Sequence, residues 1–134
     1  MALFGDTGRM NTALRITAIT GFLAVALGAI GAHGLESALK TTVSAGQLAK
    51  QLAWWNTAGQ YHIIHAVAML ALALREPLAV WSWRLMLAGI VLFSGSLYIM
   101  GATGNTTLRH ATPIGGALLL AGWLSLCFCK RLSK

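Results

Sequence analysis

Four apolar runs, at 12–33, 54–74, 79–100 and 112–129, leave this 134-residue chain few ways to fold. Each approaches or reaches the roughly 20 apolar residues that an α-helix needs to cross a hydrocarbon core. Only 10% of the residues are charged, against about 25% in an ordinary soluble domain. That is too little charge to cover a water-facing surface. The sequence therefore predicts an all-α membrane protein, four transmembrane helices in an antiparallel bundle, with 1–134 as a single integral membrane domain whose first partner is the lipid bilayer.

The stretches between the runs carry the punctuation. Residues 1–11 are mixed and short, and a flexible end is expected there. Arg15, the apolar stretch and the small residues at 29–32 also fit a cleavable leader, but the run is read as helix one. Gly34 fits a helix stop. In the long connection that follows, Leu48, Leu52 and Trp55 fall on one helical face. Residues 36–52 are thus read as an interfacial helix or as an N-terminal extension of helix two. Trp54 and Trp55 then mark the headgroup level, as do Trp81, Trp83 and Arg84 at the start of helix three. Proline cannot continue a helix, so helix two breaks at Arg75-Glu76-Pro77. Gly104-Asn105 signals a turn, and Thr112-Pro113 reads as a cap followed by proline in the first helical turn.

The net charge of +7 excludes less than it suggests. Its basic residues are scattered at the ends of apolar runs, without the clustered footprint of nucleic-acid recognition, so no nucleic-acid partner is expected. They set orientation instead. With four crossings, one side carries Arg9, Arg15, Arg75, Arg84, Lys130, Arg131 and Lys134, and the other Lys40, Lys50 and Arg109. Seven against three puts both termini in the cytoplasm. Cys127 and Cys129, two residues apart, point about 200° from each other on a helix and are read as free thiols filling space.

Polar groups inside lipid need partners or a water-filled cavity, so they are either internal glue or a site. Helix two holds Gln60, Tyr61, His62 and His65 in its outer half to middle; His33 ends helix one on that side, and Ser94, Ser96 and Tyr98 lie near the outer end of helix three. The inner halves are nearly all aliphatic. On a helical wheel Tyr61, His62 and His65 fall within about 100° of one another, Gln60 points elsewhere, and Ser94 and Tyr98 share a face. His33, Tyr61, His62, His65, Ser94 and Tyr98 are therefore read as a cup opening outward, with Gln60 beside it. A second pattern is steric. Gly21, Ala24, Gly28, Gly31 and Ala32 on helix one, with Gly115 and Gly116 on helix four, let another backbone approach closely.

GAIGAHGL at 28–35, TAGQYH at 57–62 followed by His65-Ala66, LFSGSLY at 92–98, TPIGG at 112–116 and Gly122-Trp123 resemble the signatures of one family. It is the domain-of-unknown-function 423 family of small inner-membrane proteins, related to mitochondrial transmembrane protein 256. The resemblance spans about residues 14–123 and implies a multipass protein of the bacterial inner membrane; no reaction comes with it.

Three functions compete. The leading one is a non-enzymatic accessory, scaffold or assembly subunit that packs against a larger membrane complex or a second copy of itself. The alternative is a metal, haem or small ligand held in the cup by His62, His65 and His33, since neutral imidazoles bind zinc, copper and iron. No acid in the cup would balance a cation, so no cofactor is expected. A transporter or channel comes third, because the only acids, Asp6, Glu36 and Glu76, lie at the ends of runs. An enzyme is not expected: there is no nucleophile beside a base, no carboxylate pair and no phosphate-cradling glycine loop.

Overall fold

The computed structural model describes residues 3–75 and 77–129, and among these every regular element is helical. Glu76, Lys130, Arg131 and Lys134, which the sequence used for the helix-two break and for orientation, lie outside the described residues. The first helix, α1 (Leu3–Ile30), starts well ahead of the apolar run, so the end expected to be flexible is helical from Leu3 onward.

Nor does this helix stop at Gly34. Its hydrogen bonding widens into a π turn over Gly31–Leu35 and returns to α-helix in α2 (Glu36–Leu39). A glycine stop works by adopting positive φ, and among the described residues only Gly104 does so. Gly31 serves another purpose. A Cβ there would lie 2.6 Å from Cδ1 of Trp55, so the missing side chain is what lets the indole come against α1. Trp55 then donates its Nε1–H to the Leu27 carbonyl at 3.0 Å. Trp55 is consequently buried and is not the interfacial anchor the sequence suggested.

The next helix, α3 (Ala45–Ala73), is opened by Ser44, whose side chain accepts the Gln47 backbone N–H. Residues 45–53 thus extend the second helix, while 36–39 continue the first. Gln51, in that extension, is buried and donates to the Gly101 carbonyl at 3.0 Å. The break before α4 (Val80–Thr103) contains Pro77, as its missing N–H requires. Gly104 ends α4 with φ of 70°, returning its N–H to the Met100 carbonyl at 2.8 Å. A 3₁₀ turn, Thr107–His110, then runs into α5 (Ala111–Ser125), which closes with a second one, Leu126–Phe128. Thr112 is not the cap of α5. The helix is already under way at Ala111, and the Thr112 hydroxyl pairs with Ser96 at 2.7 Å.

Neighbouring helices pack in the order α1, α3, α4, α5. One apolar core gathers Met69, Leu72, Trp83, Met86, Ile90 and Leu119; the other gathers Leu35, Trp55, Ala58, Leu97, Tyr98 and Met100. Gly115 brings α5 against α4: a Cβ there would lie 2.8 Å from the Leu92 carbonyl carbon and from Phe93 Cα. Of the other small residues singled out, Ala24 is buried, and a Cβ on Gly116 would meet the Phe93 ring at an ordinary 3.6 Å. Gly21 and Gly28 have nothing within 4 Å of an added Cβ, and Ala32 is exposed.

Among the described residues three helical segments, Thr12–Leu39, Val80–Thr103 and Thr107–Phe128, are long and apolar enough to cross a membrane. α3 is not among them, because Asn56, Gln60, His62 and His65 dilute its apolar character.

Candidate functional site

Those polar residues of α3 do not face one space. His65 is buried between its own helix and α5. Its Nδ1 lies 2.7 Å from the Tyr61 carbonyl, and its Nε2 lies 3.0 Å from Nε1 of Trp123. A carbonyl can only accept and an indole N–H can only donate. His65 must therefore carry its proton on Nδ1 and offer the Nε2 lone pair to Trp123. Both ring nitrogens are used. The Trp123 ring also meets the imidazole edge-on at 6.1 Å, while Tyr61 stacks on its other side at 5.9 Å and rests on Phe93 at 4.6 Å.

Three residues earlier, His62 turns toward α4, with Nδ1 3.4 Å from the Tyr98 hydroxyl. The rings of His62 and Tyr98 meet edge to face at 5.9 Å, and Trp55 closes on Tyr98 at 4.8 Å. His62, Tyr98 and Trp55 thus form one interhelical cluster, and Tyr61, His65 and Trp123 another.

The expected cup is divided accordingly. His62, His65, Ser94 and Tyr98 are buried. Ser94, only 1% exposed, has a hydroxyl without a hydrogen-bond partner among the described residues. Tyr61 and Gln60 are exposed on α3, and His33 is exposed on the π turn. Among the described residues no three His, Cys, Asp or Glu side chains come together as a metal site.

Further polar links lie where the sequence promised an aliphatic inner half. Trp83 donates its indole N–H to the Thr17 hydroxyl at 2.9 Å, joining α4 to α1. Ser82 and Ser125 meet at 2.6 Å between α4 and α5, and Ser125 donates onward to the Gly122 carbonyl at 2.7 Å. Toward the outer end of α4, Ser96 bonds the Phe93 carbonyl of its own helix at 2.9 Å as well as Thr112. Trp83, expected from the sequence at the interface, is 7% exposed. The available signal was weak: a tryptophan facing a threonine or serine of another run can always be internal.

Such an architecture, long apolar helices tied together by buried side-chain hydrogen bonds, is that of a small multipass membrane protein. The chain belongs to the family described as Protein of unknown function (DUF423), which matches residues 27–116. A UPF0382 membrane protein of Haemophilus influenzae is 40% identical over 131 residues, covering 92% of this chain and 97% of the relative. The UPF0382 membrane protein YwdK of Bacillus subtilis is 40% identical over 124 residues, 87% of this chain and 94% of its own. The UPF0382 inner membrane protein YgdD of Escherichia coli is 36% identical over 127 residues, 90% of this chain and 91% of its own. No solved structure matches the chain.

Proposed function

We propose that this protein is a non-enzymatic subunit of the inner membrane, crossing four times as an antiparallel bundle with both termini in the cytoplasm, and that it serves as an accessory or scaffold for a larger membrane complex or for a second copy of itself. On this reading α3 is the fourth span, made compatible with lipid because its buried histidines find hydrogen-bond partners in their own helix and in the neighbouring ones. Unsatisfied polar groups are what a membrane interior penalises. The observation that carries the reading is the engagement of both His65 nitrogens, by Tyr61 and Trp123. A residue so engaged is cohesion, and it has no lone pair left for a metal or a substrate.

The outward face of α1 supports the second half. Gly21, Gly28 and Ala32 lie on it uncovered by the chain's own helices. Small residues at lipid-embedded contacts allow close backbone approach, and a second helix would find that approach open here. The name of the Escherichia coli relative carries the inner-membrane assignment.

Affinity-tagged protein extracted in a mild detergent tests the proposal. A homo-oligomer, or a membrane protein recovered reproducibly with it and lost on Gly28→Leu, is the expected result. A strictly monomeric species without a co-purifying protein overturns it. Metal analysis and a visible spectrum of the same sample address the ligand alternative, for which stoichiometric metal or a Soret band is required.

A further inference from the structure

The exposed side of α3 is not uniformly apolar. Ala53, Asn56, Gln60, Ile63, Val67 and Leu70 all lie on it, spaced alternately by three and four residues and within about 100° of one another. The buried residues of the helix, among them Ala58, His62 and Met69, lie on the other side, and α1 and α4 are the neighbours of α3. Alternation of three and four is the spacing of a seam that meets a second helix. A lipid-facing surface needs no polar group, and this one carries two.

Depth decides what those groups cost. From Trp54 to Leu74 the helix rises about 30 Å at about 1.5 Å per residue, one hydrocarbon thickness. Lys50 lies over the Trp54 ring at 5.0 Å, a cation beside an amphipathic ring, as at a headgroup level. On the proposed crossing Gln60 then sits about 9 Å inside the level of Trp54. Among the described residues neither the Gln60 carboxamide nor that of Asn56, one turn away, has a hydrogen-bond partner, and the two are not bonded to each other. On the opposite side of the helix, His62 and His65 are both bonded. Polar groups in hydrocarbon are costly unless paired. Pairing for Gln60 must come from outside the chain.

The chemistry of the face points to one partner. A carboxamide has two N–H donors and an oxygen acceptor, so it is its own complement. No charged residue occurs between Trp54 and Leu74, so the face calls for no opposite charge. Copies inserted the same way present α3 in parallel, and a two-fold axis along the membrane normal brings like residues together. We propose that two copies of the protein pair through this face of α3, with the Gln60 carboxamides hydrogen-bonded to each other across the axis and Ile63 and Val67 packed below them. The pairing deepens the scaffold reading and rests on α3 crossing the membrane. It leaves the small-residue face of α1 open to another membrane protein.

In native membranes, with Cys127→Ser and Cys129→Ser as background, Ile63→Cys should give a disulfide-linked dimer on mild oxidation. Val91→Cys, 62% exposed on α4 but off the seam, should not. In liposomes, self-association followed by energy transfer between copies labelled at Thr106→Cys should weaken roughly tenfold with Gln60→Leu, the scale of interhelical side-chain bonds in model peptides. Gln60→Asn should retain most of it. Gln60 is exposed, so neither change disturbs the core of the bundle. Equal cross-linking at positions 63 and 91 overturns the proposal, as does self-association indifferent to Gln60→Leu. Self-association lost on Gly28→Leu alone puts the contact on α1, which overturns the pairing through α3 and keeps the scaffold reading. Labelling of Thr41→Cys and Thr106→Cys from opposite sides of the membrane removes the crossing, and the pairing falls with it.

Discussion

Trp123 of α5 donates its indole N–H to Nε2 of His65 on α3 at 3.0 Å, across 58 residues of sequence. The bond has a direction that nothing else at the site can reverse, because the Tyr61 carbonyl already takes the proton on Nδ1. It also joins α5 to α3, whereas the chain otherwise seats α5 on α4.

Replacing Trp123 by Phe should leave Nε2 of His65 buried and unpaired. Interhelical side-chain bonds in membranes average about 0.6 kcal/mol and reach about 1.7, and an abandoned acceptor adds its own desolvation cost. A loss of about 1–2 kcal/mol is expected for Trp123→Phe in reversible unfolding in mixed micelles. The double-mutant cycle with His65→Leu should return a coupling of about 0.5–1.5 kcal/mol. Coupling near zero would mean that Trp123 acts by bulk alone.

How much of this was legible beforehand varies with the residue. Pro77 and Gly104 announced their turns, because a missing N–H and a positive φ are local requirements that the sequence states directly. Apolar length announced four crossing helices, and among the described residues three are long and apolar enough to cross a membrane. Trp55 and Trp83 were misassigned, since an amphipathic ring suits a headgroup layer or an interior acceptor equally well, and only the partner decides. Here the partners are the Leu27 carbonyl and the Thr17 hydroxyl. Gly34 misled because a π turn keeps hydrogen bonding through a glycine that a stop would have used. The two histidines were found, but a helical wheel gives direction and not neighbour, so one cup was expected where two clusters exist.

Glycines of similar sequence context should respond in opposite ways. At Gly115 a Cβ would lie 2.8 Å from backbone atoms of Leu92 and Phe93, which cannot rotate aside. Gly115→Ala should force α5 off α4 and cost about 1–3 kcal/mol, the usual range for overpacking. At Gly21 nothing lies within 4 Å of the added atom. Gly21→Ala should be neutral or stabilise by up to about 1 kcal/mol through helix propensity. Unfolding midpoints of the two variants side by side make the comparison.

The serine pair between α4 and α5 is not symmetric. Ser125 keeps a bond to the Gly122 carbonyl if Ser82 is lost. Ser82, 1% exposed, keeps only a long contact of 3.9 Å to the Cys129 sulfur if Ser125 is lost. An unpaired buried hydroxyl costs about 1–3 kcal/mol, whereas removing one donor from a satisfied pair costs less. Ser125→Ala should therefore destabilise by about 1 kcal/mol more than Ser82→Ala, measured in the same unfolding assay. Equal effects would point to packing alone.

Whether α3 crosses the membrane can be read without assuming an orientation. Thr41 precedes α3 and Thr106 follows α4, and both are exposed. If both helices cross, two passes separate these residues and they face the same compartment. If α3 lies along one surface, a single pass separates them and they face opposite compartments. In a background with Cys127→Ser and Cys129→Ser, a membrane-impermeant maleimide applied to intact cells should label Thr41→Cys and Thr106→Cys alike. With cytoplasmic termini, the excess of basic residues beside the ends of the chain predicts that both label from outside. Labelling of only one would remove the fourth span, and with it the argument that the bonded histidines of α3 are there to make a polar helix compatible with lipid.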